Sequence, residues 1–272
     1  MARFNIDVLA SQCGVTPANI RSWQRYGLIK PHVDEKGHRF FDITHYNRVA
    51  DIIGWLEKGV ALSNMLALLN GEEVRRTSGW FSIQEAILAC CEKHQHAKLR
   101  GLIWRHGREI PPVIFIDEVI RPLRLWMNAG NRPGMDMARA VFDTALIEYA
   151  TFVLSSGRKR AGGSMYIIAL SLKDPLDIWL ESIRYASDGF RVEVLSTPIL
   201  LPDLAKISAD HIMIWADKPL NPKQRSEYSR WLAEGKPVFL AGAMAKKTLK
   251  VVTLNETDNS TNQQAEKNRL FG

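Results

Sequence analysis

The spacing of apolar residues changes once along this 272-residue chain, and that change constrains its fold more than any other feature. Up to about residue 157, apolar side chains recur at three- and four-residue steps, as in Phe142, Leu146 and Tyr149, which predicts amphipathic helices. From Met165 onward, short β-rich runs such as "MYIIALSL" and "HIMIWAD" alternate with helical stretches. The pattern therefore predicts a multidomain chain, α in its first part and α/β with a small parallel, doubly wound sheet in its second.

Breaks in these patterns divide the chain into four zones. Short helices separated by turns occupy residues 1–79, and a small helical bundle is predicted for residues 80–157. The basic segment "GRKRAGG" predicts a linker to the α/β zone at residues 163–244. Residues 246–272 are polar with few large apolar side chains, so we expect a disordered tail there.

Composition excludes several classes of protein. No apolar run approaches the roughly 18 residues that span a bilayer, and the start "MARFNIDVLASQ" lacks an export pattern. Three cysteines, two of them adjacent, cannot build a disulfide framework, so we expect a reduced, cytoplasmic protein. The net charge of +7 permits a polyanionic partner. Residues 1–79 carry ten Lys or Arg against eight Asp or Glu, so charge alone does not predict DNA binding.

The order of parts in the first zone is typical of a DNA-reading domain. Thr16 can cap a helix whose first turn accommodates Pro17, and "GLIKP" ends that helix. A tight turn, "DEKG", and a short strand, "HRFFD", follow. In helix-turn-helix proteins the second helix enters the major groove, which is the role predicted for the helix after Thr16.

Arginines in this second helix suit contacts with DNA. Arg21 and Arg25 lie four positions apart, hence on one face, from which they can reach phosphates or guanine edges. Trp23 and Tyr26 either pack on the sugar–phosphate backbone or fill the core. An ordinary basic surface with buried aromatic side chains is the alternative interpretation.

The hairpin and the helices around it carry a family resemblance. "VLASQCGVTPANIRSWQRYGLIKP…GHRFFD", followed by "IIGWLEKGVALSNMLALL", resembles the winged-helix N-terminal domain of MerR-type transcription regulators. The resemblance implies a homodimer that binds an inverted-repeat promoter site in double-stranded DNA and twists its spacer. It places the second helix against DNA and the hairpin on phosphate. The candidate DNA-binding residues are Thr16, Asn19, Arg21, Ser22, Trp23, Arg25, Tyr26, Lys30, Gly37, His38 and Arg39.

No metal site or cofactor is expected. Metal-sensing members of that family use cysteines, and here Cys90 and Cys91 are adjacent, with His94 and His96 nearby. Neighbouring residues on a helix point about 100° apart, so two adjacent thiolates rarely meet one ion. Two small buried helix residues followed by a polar turn are the preferred interpretation.

A helical bundle followed by an α/β domain resembles the cobalamin-binding light sensors of the same family. Their D-x-H-x-x-G motif, whose His ligates cobalt, corresponds to "KDPLDIW" here, with Asp174 retained, Leu176 in the His position and Trp179 in the final Gly position. The bundle has "LIEYATF" in place of an E-H pair, and Gly242 lies between two alanines where a double Gly is expected. The resemblance implies a flavodoxin-like, cobalamin-binding-like fold that has lost the cobalamin site.

This combination resembles the enterobacterial MerR-like regulators of curli and biofilm genes over roughly residues 1–244. It implies a sequence-specific DNA-binding regulator, nucleoid-associated when bound, that partner proteins such as cyclic-di-GMP enzymes control through its C-terminal region. Two alternatives are a direct sensor of a nucleotide or tetrapyrrole and a protein-binding adaptor without DNA recognition. We expect no enzymatic activity, because "GRKRAGGS" lacks phosphate-loop spacing and no nucleophile–base pair is evident.

Overall fold

The computed structural model describes most of the chain, and its contacts divide the chain into two compact units. The first unit comprises Met1–Ala161 and Leu180–Phe190, and the second comprises Gly162–Trp179 and Arg191–Gly272. The predicted disordered tail lies outside the described residues. None of the described helices is both long and apolar enough to cross a membrane. The described residues are 3–57, 60, 62–69, 79–128 and 133–243.

The first unit begins with short helices around a two-stranded ribbon. Thr16 and Asn19 form a reciprocal capping box at the start of the second helix, where Pro17 occupies the first turn as predicted. The ribbon is antiparallel and turns at Gly37, whose φ of 81° favours glycine. The elements are α1 (Ile6–Gln12), α2 (Pro17–Arg25), β1 (His32–Val33), β2 (Arg39–Phe40), α3 (Ile43–Glu57) and α4 (Leu62–Leu69).

Packed helices continue the first unit, with interruptions at residues 93–95 and 110–111. Arg124, 6% exposed, joins two of these helices by a bidentate ion pair with Asp143, at 2.8 Å and 2.9 Å. The elements are α5 (Phe81–Glu92), α6 (His96–Glu109), α7 (Pro112–Ile114), a π-helical segment (Phe115–Ile120), α8 (Arg121–Asn128) and α9 (Met135–Gly157).

The predicted parallel sheet forms the second unit. All described pairings in it are parallel, and its strand order is β4-β3-β5-β6. Its core includes Ile168, Ile212, Ile214 and Trp231, so the β-rich runs bury their apolar residues as their sequence indicates. The strands are β3 (Ser164–Ser171), β4 (Arg191–Leu195), β5 (His211–Ala216) and β6 (Val238–Ala241), with helices α10 (Pro175–Ser187) and α11 (Pro222–Ala233) between them.

Candidate nucleic-acid interface

Helix α2 has two chemically different faces. Arg21 and Arg25 are exposed, and their four-residue spacing places the two guanidinium groups one helical turn apart. Ile20 and Trp23 are completely buried. The helix therefore presents a basic stripe to solvent and anchors its other face in the protein.

The C-terminal end of α6 anchors the buried face of α2. The indole nitrogen of Trp23 donates a hydrogen bond to the carbonyl of Glu109 at 2.9 Å, and Asn19 Nδ2 donates to the carbonyl of Arg108 at 3.1 Å. The Tyr26 hydroxyl donates to Oε1 of Glu109 at 2.8 Å. Because α6 ends at Glu109, its last carbonyl groups receive no hydrogen bonds from within the helix. Side chains of α2 donate hydrogen bonds to two of them.

This packing corrects the expectation that Asn19, Ser22 and Trp23 turn their side chains to DNA. All three are 0% exposed. Asn19 serves the capping box of α2 and its contact with α6, and the Trp23 indole fills the core. Of the two roles considered for Trp23, packing in the core is the one found. None of the α6 residues that contact α2 was among the candidates chosen from the sequence, because they lie more than 80 positions from α2 along the chain.

Shifted pKa values determine the protonation states of Tyr26 and Glu109 where they meet. Burial raises the pKa of Glu109, but hydrogen bonds from His106 and Tyr26 outweigh burial and leave that pKa below its ordinary value. His106 Nδ1 lies 3.5 Å from Oε2 of Glu109. Burial raises the pKa of Tyr26, and Glu109 raises it further by accepting a hydrogen bond from the hydroxyl and through its negative charge. The carboxylate therefore stays ionised and the phenol stays protonated at neutral pH, which preserves the hydrogen bond.

The remaining candidates are distributed between α2 and the ribbon. Oδ1 of Asp34 accepts hydrogen bonds from the backbone N–H groups of Lys36, at 3.0 Å, and His38, at 2.8 Å, which orders the turn. Thr16 is half-buried in the cap of α2, and Tyr26 is half-buried against α6. The candidates exposed to solvent are Arg21, Arg25, Lys30, Gly37, His38 and Arg39.

The adjacent cysteines occupy the core. Cys90 is 2% exposed and Cys91 is completely buried, as expected for small residues on an inward helix face. Burial raises the pKa of the Cys91 thiol to about 12. The thiolate, which is the form that binds metals, is therefore disfavoured at this position.

At the carboxyl-end edge of the sheet, the position that corresponds to the cobalt-binding His carries a side chain that cannot bind cobalt. Leu176, in the position of the cobalt-binding His, is 2% exposed and has no donor atom. The carboxylate of Asp217 ties three parts of this edge together. Its oxygens accept hydrogen bonds from the backbone N–H groups of Lys173 and Ala243 and from the indole of Trp215, at 2.9, 3.0 and 3.1 Å.

Known families match three consecutive parts of the chain. Residues 4–72 match the MerR HTH family regulatory protein, residues 80–155 match the helical domain of the transcriptional regulator MlrA, and residues 162–238 match the C-terminal domain of MlrA. Together these matches include α2, the ribbon, the α6 contact and strands β3 to β5 of the sheet.

Curated relatives match over nearly the whole chain. The HTH-type transcriptional regulator MlrA of Escherichia coli (strain K12) is 29% identical over 245 residues, which are 89% of this chain and all of the relative. The proteins of the same name from Salmonella typhimurium strains SL1344 and LT2 are 27% identical with the same coverage. The chain belongs to the MerR family of transcriptional regulators, and within it to the MlrA type.

Proposed function

We propose that this regulator binds a specific promoter site through the exposed face of α2 and through the β1–β2 ribbon. The observation that carries the proposal is the division of α2 into a solvent face with Arg21 and Arg25 and a face held by α6. Arginine is suited to guanine edges and phosphates because its guanidinium group donates two parallel hydrogen bonds. His38 and Arg39 on the ribbon then contact the flanking sugar–phosphate backbone and set the orientation of the domain.

The proposal includes a homodimer on an inverted repeat, since a two-fold site binds two copies of the same reading helix. We divide the chain into a winged helix-turn-helix domain at 1–79, a helical bundle at 80–157 and an α/β domain at 163–244. The strand order, second-first-third-fourth in chain order, supports a flavodoxin-like arrangement for the last of these. The protein acts in the cytoplasm, where promoter DNA is accessible, and is not an enzyme.

The C-terminal unit is proposed to receive regulatory proteins, with control of biofilm or curli genes as the biological setting. Leu176, in the position of the cobalt-binding His, weighs against cobalamin sensing by this unit. Absorbance of the purified protein after incubation with cobalamin and gel filtration separates the two. We expect no retained colour, and retained colour would favour a direct tetrapyrrole sensor.

A genome-wide binding profile tests the proposed DNA binding. We expect the wild-type protein to give peaks that share an inverted repeat, and the R21A/R25A double variant to lose them. The R225A variant is the matched control, because Arg225 is an exposed arginine in the second unit. A double variant that keeps the wild-type peaks would favour an adaptor or a different DNA-binding surface.

A further inference from the structure

Three side chains with metal-binding atoms meet where the ribbon joins α3. One donor atom from each of His32, Asp42 and His45 lies within 4.8 Å of the others. His32 Nε2 is 3.1 Å from Oδ2 of Asp42, and His45 Nδ1 is 2.7 Å from Oδ1 of the same carboxylate. Asp42 and His45 are buried, whereas about half of the His32 side chain is exposed.

The hydrogen bonds of His45 determine which ring nitrogen carries hydrogen. Nε2 lies 2.8 Å from the carbonyl oxygen of Lys30, which can only accept, so Nε2 is the donor. In a neutral imidazole, Nδ1 then has a lone pair, and this lone pair faces Oδ1 of Asp42. The Asp42 backbone N–H also lies 3.2 Å from this Nδ1. Nδ1 of His45 and the Asp42 carboxylate therefore face one another as two groups that can bind the same metal ion.

Neighbouring groups already orient these side chains as they do in metal sites. A metal-binding histidine usually donates its second ring N–H to a carbonyl or carboxylate, as His45 does to Lys30. Oδ1 of Asp42 accepts hydrogen bonds from Thr44, at 2.6 Å from the hydroxyl and 3.0 Å from the backbone nitrogen. The ring of His32 packs against Phe40 with centroids 5.3 Å apart. Because these contacts already restrict the three side chains, less conformational entropy is lost when an ion binds.

We propose that His32, Asp42 and His45 form a binding site for a divalent transition-metal ion, with zinc(II) as the occupant. Two imidazole nitrogens and one carboxylate oxygen suit zinc, which in three-ligand sites keeps a fourth position for water. The exposed side of His32 leaves such a position open to solvent. Zinc–nitrogen bonds of about 2.0–2.1 Å require the three donors, which lie within 4.8 Å of one another, to shift. The His32 side chain packs on Phe40 but is about half exposed, so it has the most room for that shift.

The ion joins β1 to the start of α3, and the chain between these two elements includes the turn with His38 and strand β2 with Arg39. It thereby stiffens the ribbon that is proposed to grip the DNA backbone. This consequence rests on the proposed function, whereas binding of the ion does not.

Cobalt(II) titration of the full chain tests the site, because cobalt(II) substitutes for zinc(II) and is visible by its absorption bands. The protein, freed of any affinity tag and stripped with a chelator, is expected to bind one equivalent, which zinc(II) displaces. H32Q and D42N are expected to weaken binding at least about tenfold. Asn retains the capping ability of Asp at the start of α3, so D42N preserves the fold. H38Q, which removes an exposed histidine of the same ribbon, is the matched control and is expected to bind like wild type.

Three results would overturn the proposal. The first is no cobalt band in the wild-type protein. The second is a titration of H32Q and D42N that equals the wild type. The third is an intense thiolate-to-cobalt band that survives in H32Q, which would move the site to the cysteines. Failure of DNA binding leaves each of these readouts unchanged, so the two proposals are tested separately.

Discussion

The indole nitrogen of Trp23 donates a hydrogen bond to the main-chain carbonyl of Glu109, 86 positions later in the chain. The bond joins the helix proposed to read DNA to the last turn of α6 in the helical part of the protein. It holds the inner face of α2 and leaves Arg21 and Arg25 on the outer face. Any rearrangement of α6 therefore acts directly on the helix that carries these arginines.

The W23F variant is expected to lower the free energy of unfolding by about 1–3 kcal/mol, because it leaves the Glu109 carbonyl without its indole donor and opens a small cavity beside the buried ring. Urea unfolding of the full chain measures the change. W55F is the control, because Trp55 is only half-buried on α3, and its change should be smaller than that of W23F. Equal effects of the two substitutions would show that the bond to Glu109 contributes nothing.

Local sequence patterns explain why most elements were predictable. The helix start at Thr16–Pro17, the turn at Gly37 and the parallel strands depend on capping, backbone conformation and hydrophobic period, each of which acts over a few residues. Helical geometry also separates Trp23 from Arg21 by about 200°, so spacing alone favours its buried position. The family resemblance placed Trp23 among the DNA-binding residues, whereas its side chain is completely buried.

The long-range contacts were not predictable from the sequence. The partner of Trp23 in α6 depends on how two helices pack, and no local pattern encodes that partner. The cluster of His32, Asp42 and His45 arises because the ribbon pairs His32 with Phe40, beside the start of α3. Residues that a hairpin brings together are not close in the sequence, so their spacing does not reveal them.

Substitution of Gly107 by alanine is expected to destabilise the protein by about 1–3 kcal/mol. A Cβ at this position of α6 would overlap the hydroxyl end of the buried Tyr149 ring on α9. Gly101 on the same helix is exposed and has open space around it, so G101A should stabilise by about 0.5–1 kcal/mol through helix propensity. Thermal or urea unfolding compares the two variants. The same sign of change for both would contradict the close approach of Tyr149 to Gly107.

The contact between Glu109 and its partners is expected to weaken in acid. Because the folded state lowers the pKa of Glu109 from 4.5, the ionised carboxylate stabilises the fold above that value, and this contribution is lost as the pH falls through the lowered pKa. Urea unfolding of wild type and E109Q, measured from pH 7 to about pH 3, isolates the effect. The difference between the two proteins should be largest at neutral pH and shrink below about pH 4.5. A difference that is constant over this range would exclude a stabilising role for the charge.

The salt dependence of operator binding tests most directly whether Arg21 and Arg25 contact DNA. On the operator obtained from the genome-wide profile, each phosphate neutralised by the protein contributes about 0.9 to the slope of log affinity against log salt. R21A/R25A is expected to bind at least about tenfold more weakly, with a slope shallower by about 1–2, while R225A matches the wild type. Wild-type affinity together with a wild-type slope in R21A/R25A would contradict DNA reading by α2.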